Sequence, residues 1–238
     1  MNVARTIGRR TGVLLLAQGV GGGIVNFVLL APVIGPPGFL VNAAANPLNV
    51  SFAVLIGLVA GALSVAVAIA ALPLFRQYSE AMALWVLTLG IVGLSLTVVE
   101  NSAVMSLLSF SQAYAAAAPA DAATFEAMRV VVASSRNWAH YTHLIVGGAT
   151  YLVFYAVLYR FALIPRALAA FGLLAVALQI TAVSMPILGF KVVMLMIMPM
   201  GLAHLALALW LTVRGFDVRL PPDRNFDSVR ESSHAPAA

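Results

Sequence analysis

The hydrophobic positions of the chain fall into six long apolar runs, separated by charged residues, prolines and glycines. The runs cover residues 12–35, 50–75, 81–110, 138–162, 166–189 and 192–213. As an α-helix, each run is long enough to cross the roughly 30 Å hydrocarbon core of a bilayer. The pattern predicts an all-α fold, a polytopic transmembrane helical bundle of six spans within residues 1–214.

Helices are favoured over barrel strands because the runs lack the alternating segments of about ten residues that mark transmembrane strands. The third run is the longest and is expected to tilt or to project from the bilayer. Charged residues make up only 9% of the chain and apolar residues 62%. Soluble domains carry about 25% charged residues. Together with a mean hydropathy of +1.01, this composition excludes a water-soluble fold.

The basic residues predict the orientation of the bundle. With the N-terminus inside, the cytoplasmic face would carry Arg5, Arg9, Arg10, Arg76, Arg160, Arg166, Arg214, Arg219, Arg224 and Arg230. Only Arg129, Arg136 and Lys191 would lie outside. By the positive-inside rule, both termini are cytoplasmic, and we expect a multi-pass inner-membrane protein surrounded by membrane lipids. No basic stripe is present in the sequence, so no nucleic-acid partner is expected.

Two connections on the predicted outer side are long enough to carry structure. Residues 36–49 are rich in proline and asparagine and are predicted to form turns or a short re-entrant segment. Residues 111–137 contain Asp121, which is placed to cap a short amphipathic helix. That helix would be either an interfacial segment or a lid over a pocket. Residues 215–238 are expected to form a disordered cytoplasmic tail.

Glu100 is a carboxylate inside the third apolar run, between Thr97 and Asn101. It precedes Phe110, at the end of the run, by ten residues. Helix rise then places it about 15 Å below the outer end of the span. An isolated carboxylate at that depth must be protonated or paired. Because ionisable residues inside spans are rare and costly, we consider Glu100 and Asn101 candidate ligand-binding residues.

Three histidines lie within the apolar runs. His140 and His143 share one face of the fourth predicted helix. We interpret His140 as part of an interfacial aromatic belt with Trp138, and His143, about one turn deeper, as the better candidate for a ligand contact. His204 follows Lys191 by about 20 Å along the sixth helix and is expected to form hydrogen bonds at the floor of a pocket.

Two amides complete the polar set, because Asn26 and Gln179 lie about ten residues from the outer ends of their runs, near the expected depth of Glu100. Five of the six runs thus carry a polar residue suited to one site. We hypothesise an outward-facing polar intramembrane pocket that binds a small or lipid-soluble ligand. Its candidate residues are Asn26, Glu100, Asn101, His143, Gln179 and His204.

Two other functions stay open. In a membrane redox subunit, His143 and His204 would be the axial ligands of haem b, although helix rise separates them by about 12 Å along the membrane normal. Alternatively, the protein is a non-catalytic accessory subunit without a ligand. The chain has no cysteine, which excludes thiolate metal sites and iron–sulfur clusters. We predict no metal site and no cofactor, and the sequence identifies no catalytic residue.

Two motifs mark the predicted inner ends of helices. One is the Ile164-Pro165-Arg166 turn, and the other is the Leu-Trp-Leu-x-x-Arg-Gly sequence that ends at Gly215. Both resemble the bacterial six-span family known as domain of unknown function 4386 (DUF4386). That family often has a glutamate six residues before the tryptophan, where this chain has His204. The resemblance implies the six-span topology and no known activity.

Overall fold

The computed structural model describes residues 3–217, which contain helices and turns but no strand. The α-helices are α1 (Val3–Gly23), α2 (Ala31–Ile34), α3 (Phe39–Ala45), α4 (Pro47–Tyr78), α5 (Glu80–Ala116), α6 (Ala122–Arg160), α7 (Arg166–Ser184) and α8 (Met194–Val213). A π-helix over Ile24–Leu29 joins α1 to α2, and 3₁₀ turns cover Pro119–Asp121 and Met185–Leu188.

Within residues 3–217, six helical stretches are long and apolar enough to cross a membrane, which confirms the predicted all-α bundle of six spans. They are Val3–Ile34, Pro47–Tyr78, Glu80–Ala116, Ala122–Arg160, Arg166–Leu188 and Met194–Val213. The first four stretches extend beyond the predicted runs because helical backbone continues through their charged and polar flanks, whereas the last two stay within them. The first span, for example, already includes Arg5 and Arg10.

The six spans form a closed ring. In ring order α1, α4, α5, α6, α7 and α8 each pack against the next, and α8 packs against α1. At one end of the ring, a Cβ atom at Gly215 would touch the backbone of Arg5. Arg9 donates to the carbonyl oxygen of Val213 there, at 3.4 Å. Both ends of the described chain therefore lie at this termini end, and the opposite end is called the far end.

The chain stays packed for three residues past the predicted domain boundary at 214. Phe216 is buried, with its ring centroid 6.0 Å from that of Phe75. The backbone N–H of Asp217 donates to the carbonyl oxygen of Leu163 at 2.8 Å. The expectation of a disordered tail from residue 215 is therefore wrong for residues 215–217, because burial of the aromatic ring outweighs the polar composition around it. The rest of the predicted tail lies outside the described residues.

The segment 36–49 contains a regular helix, contrary to the prediction of turns or a re-entrant segment alone. Helix α3 packs against α5. Ser111 of α5 fixes it, because its hydroxyl donates to the carbonyl oxygen of Leu40 and accepts from the backbone N–H of Ala44, both at 2.8 Å. Phe39 and Ala43 are buried in a second apolar cluster at the far end. These long-range contacts stabilise a helix that its proline-rich surroundings do not suggest.

The segment 111–137 is neither a separate interfacial helix nor a detached lid. Instead, α5 continues to Ala116 and α6 begins at Ala122, directly after Asp121. The two helices form a long antiparallel hairpin. Its tip is held by the ring of Phe125, which lies 5.2 Å from the ring of Phe110 and 5.7 Å from that of Tyr114. Aromatic packing across the hairpin explains why both helices continue so far.

The long hairpin changes the expected position of Glu100. Since α5 has 37 residues, helix rise makes it about 55 Å long, well beyond a hydrocarbon core of about 30 Å. Glu100 follows Glu80, at the termini end, by 20 residues. It therefore lies about 30 Å along the helix, near the far boundary of the hydrocarbon. The depth of about 15 Å predicted from the sequence was measured from Phe110. The helix in fact ends at Ala116.

We predict that both termini face the cytoplasm, since seven of the ten basic residues that the structure describes lie at the termini end of the ring. Fusions of a topology reporter after Gly38, Pro119 or Gly189 should then report from outside the cytoplasm. A fusion after Pro165 is the matched control and should report from the cytoplasm. A cytoplasmic signal after Pro119 would contradict the predicted orientation.

Candidate functional site

A cavity of about 250 Å³ lies inside the ring, between α1, α4, α5, α6 and α7. We call it the carboxylate cavity because it contains Glu100. Its other polar lining residues are Gln18, Asn26, Ser64, Thr97, Asn101, His140, His143, Thr150, Tyr151 and Gln179. Part of the space arises because five glycines line the wall in place of larger residues. These are Gly22, Gly57, Gly61, Gly93 and Gly147.

Glu100 of α5 bridges two imidazoles of α6. Its Oε1 atom lies 2.7 Å from Nδ1 of His140, and its Oε2 atom lies 2.8 Å from Nδ1 of His143. A guanidinium nitrogen of Arg136 lies 3.7 Å from Oε1. The side chains of Glu100 and Arg136 are each 13% exposed, so the charges are largely shielded from solvent. The carboxylate is paired, which offsets the cost of shielding its charge from solvent.

The hydrogen bonds around His143 connect the carboxylate to α5 at a second point. Its Nε2 atom lies 3.3 Å from Oγ1 of Thr97, and the same hydroxyl lies 3.0 Å from the carbonyl oxygen of Gly93. A threonine hydroxyl has one proton and can also accept, so it can bond to both groups. Both ring nitrogens of His143 therefore have partners on α5, namely Glu100 and Thr97.

The three amides predicted for the site all line the carboxylate cavity but differ in their hydrogen bonds. Asn101 lines the carboxylate cavity and donates to the carbonyl oxygen of Val54 at 3.2 Å, across to α4. Asn26 also lines it, within the π-helix, and donates to the carbonyl oxygen of Gly22 at 2.9 Å. Gln179 is only 8% exposed, and its Oε1 atom has no hydrogen-bond partner among residues 3–217. A buried acceptor left in this way costs about 1–3 kcal/mol.

His204 does not join Glu100, contrary to its expected place on the floor of the same pocket. It lines a second cavity of about 460 Å³ between α1, α7 and α8, which we call the α8 cavity. There its Nε2 atom donates to the carbonyl oxygen of Leu15 at 3.1 Å, and its ring lies edge-on to Tyr151 at 5.2 Å. His204 lies ten residues before Arg214, about 15 Å from the termini end and half as far as Glu100.

Sequence reasoning missed Arg136 and His140 of the carboxylate cluster, which we define as Glu100, Arg136, His140 and His143, and it also missed the adjoining Thr97. His140 contacts the carboxylate directly, so its interpretation as a belt residue alone is wrong. Thr97 and Arg136 were not considered as candidates. The signal was present, because positions 136, 140 and 143 follow the spacing of one helical face. The prediction that the fourth helix begins at residue 138 left Arg136 outside the helix, so this spacing was not recognised.

The two histidines considered for haem line different cavities. Both ring nitrogens of His143 already face Glu100 and Thr97, so an iron would have to displace one of these contacts. Within the part of the chain that the structure describes, no group of three histidine or acidic side chains is arranged as metal ligands. That no cofactor binds stays a prediction.

A family model for a domain of unknown function, DUF4386, matches residues 10–215 of the 238-residue chain. The match covers five spans in full and the first from residue 10 onwards, and it confirms the resemblance seen in the two helix-end motifs. No curated protein and no solved structure matches the chain.

Proposed function

The chain belongs to the DUF4386 family, and we propose that this multi-pass membrane protein binds a small lipid-soluble molecule in the carboxylate cavity. The polar head of the molecule would contact the carboxylate cluster, and its apolar part would lie against the aliphatic lining. The proposal places the protein in the inner membrane, with the far end of the ring outside the cytoplasm. The cavity would then serve a ligand that arrives from the outer leaflet or from outside the cell.

The carboxylate cluster is the observation that carries the proposal. Its carboxylate and two imidazoles converge on one wall of the cavity, with His140 and His143 side chains 24% and 30% exposed. If these groups served only to hold the two helices together, apolar neighbours would be expected to shield them more completely from the cavity. Grouping polar and ionisable side chains around one concave, mostly apolar space is typical of small-molecule sites.

The glycines provide a second argument. A Cβ atom at Gly93 or Gly147 would have no atom of a neighbouring described helix within 4 Å. A glycine inside a helix costs about 0.5–1 kcal/mol relative to alanine. Gly93 is nevertheless buried in the middle of α5, where a larger residue would fit. Its small size keeps the cavity open without relieving any clash, which supports a role in binding.

The proposal predicts that filling the cavity abolishes binding without unfolding the protein. In Gly93→Leu, the new side chain projects into the cavity and should prevent photolabelling of α5 by a diazirine derivative of octanol. The experiment uses the full chain in phosphatidylcholine nanodiscs, with the labelled residues located by mass spectrometry. In the wild type, we expect labels on the residues of α5 that line the cavity, namely Gly93, Leu94, Thr97, Glu100, Asn101 and Val104.

Gly23→Leu is the matched control. Gly23 lines neither cavity, and its Cβ atom would also meet no atom of the described chain within 4 Å. This variant should be labelled like the wild type. Gly147→Leu fills the same cavity from α6 and repeats the test if Gly93→Leu folds poorly. Undiminished labelling in both filled variants would contradict the proposal.

A further inference from the structure

The α8 cavity adjoins the carboxylate cavity inside the ring. Gln18, Tyr151 and Gln179 line both spaces. Tyr151 donates to Oε1 of Gln18 at 3.0 Å, so two of these shared residues form one bonded pair. The third, Gln179, has the buried oxygen without a partner described above. The two cavities therefore meet at a polar junction, with the carboxylate cluster on one side and a mostly apolar space on the other.

The α8 cavity reaches the lipid-facing surface between α1 and α8. These helices are in close contact at the termini end, where a Cβ atom at Gly8 or Gly12 would collide with the backbone of the α8 region. Further along α1, the two helices still approach each other at Gly19, whose Cβ atom would lie 3.4 Å from a side-chain atom of α8. Two lining residues from the facing helices, Val20 and Leu205, are 61% and 50% exposed. Because its lining includes these exposed side chains, the cavity opens sideways, towards the bilayer.

The side-chain amide of Gln179 indicates which chemical group a ligand of the α8 cavity must carry. Its Oε1 atom is an acceptor shielded from solvent at the junction of the cavities, and no donor of residues 3–217 reaches it. Buried acceptors in folded proteins are nearly always bonded. A hydroxyl or an N–H group on a ligand would satisfy this atom, whereas a hydrocarbon or an ester would not.

We infer that the α8 cavity binds the hydrocarbon chain of a linear amphiphile, which enters from the bilayer between α1 and α8 and donates a hydrogen bond to Gln179. This inference rests on the proposed function and adds the ligand class and its route. Phosphatidylcholine has acyl chains but no hydrogen-bond donor, so it does not meet the requirement of Gln179. The ligand is therefore an alcohol, amine or amide with a long chain, dissolved in the membrane.

Photolabelling with hexadecanol that carries a diazirine in its chain tests the inference. In phosphatidylcholine nanodiscs, we expect the label on Met200, which lines the α8 cavity and is only 8% exposed. Because Met200 is buried, probe dissolved in the surrounding lipid should not label it, so a label there indicates binding in the cavity. Gly201→Leu should remove this label, because Gly201 lines the cavity and its Cβ atom would meet no described neighbour within 4 Å.

The same variant separates the two proposals. Gly201→Leu should leave octanol labelling of the α5 residues that line the carboxylate cavity intact, because Gly201 does not line that cavity. If the wild type shows octanol labels but none from hexadecanol on Met200, the route and chain site are wrong while the proposed function stands. If the wild type shows no octanol labels in the carboxylate cavity, the proposed function is wrong, and so is the inference that rests on it. A Met200 label that persists in Gly201→Leu would also overturn the inference.

Gln179→Leu tests the hydrogen bond separately. The wild type should label more strongly with the alcohol than with its methyl ether, which has the same chain but no donor. In Gln179→Leu, this preference on Met200 should disappear, while the ether labels as in the wild type. A preference for the alcohol that survives the substitution would show that Gln179 does not recognise the donor.

Discussion

Glu100→Lys is expected to destabilise the protein by about 3 kcal/mol or more, because it places a cation beside Arg136, His140 and His143 and removes their common counter-charge. The two imidazoles and the guanidinium belong to α6, whereas Glu100 belongs to α5. Repulsion would therefore act across the interface of these two helices. The free energy of unfolding can be measured by titrating the protein in mixed micelles with sodium dodecyl sulfate and following tryptophan fluorescence.

Two further variants make this result interpretable. Glu100→Gln keeps the shape and one acceptor but also removes the counter-charge, so it should cost about 1.5–3 kcal/mol, the range for hydrogen bonds to charged groups, without the added repulsion of a lysine. Glu126→Lys makes the same charge change at the tip of the hairpin, where Glu126 pairs with Arg129 at 2.9 Å and both side chains are about half exposed. An exposed pair contributes only about 0–1 kcal/mol. A Glu100→Lys protein as stable as Glu126→Lys would show that the cluster faces water.

Gly172→Ala is expected to destabilise the protein strongly although it adds only one methyl group. A Cβ atom at Gly172 of α7 would overlap the ring of Tyr155 of α6. That ring is fully buried, and its hydroxyl donates to the carbonyl oxygen of Ala203 of α8 at 3.0 Å. The glycine thus leaves the space through which Tyr155 reaches across α7 to α8. Overpacking costs about 1–3 kcal/mol, and a lost buried hydrogen bond adds about 1–3 kcal/mol.

Gly93→Ala is the control for this prediction. Both glycines are buried within spanning helices, but a Cβ atom at Gly93 would have no neighbour within 4 Å in the described chain. Alanine there should be neutral or should stabilise α5 by up to about 1 kcal/mol. The same unfolding titration compares the two variants. Equal stabilities would mean that Tyr155 does not pack against Gly172 as the structure has it.

The sequence predicts much of the site but not its grouping. Glu100, Asn101, His143, Asn26 and Gln179 all line the carboxylate cavity, as expected from their polarity within apolar runs. His204 was grouped with them because depths were measured from the predicted ends of the runs, and α5 continues past its predicted end. His140 was separated from them because the aromatic residues beside it are equally typical of an interfacial belt.

The sequence by itself determines that the chain is a bundle of six membrane-spanning helices. Span number and helical type depend on local properties, namely the length of each apolar run and the need to satisfy backbone hydrogen bonds in lipid. Only the tertiary structure decides that α5 and α6 form a long hairpin, that Glu100 bridges two imidazoles and that His204 lies in another cavity. These features depend on which helix faces meet and at what relative depth. Packing between distant residues sets both, as Tyr155 against Gly172 and Ser111 against α3 illustrate.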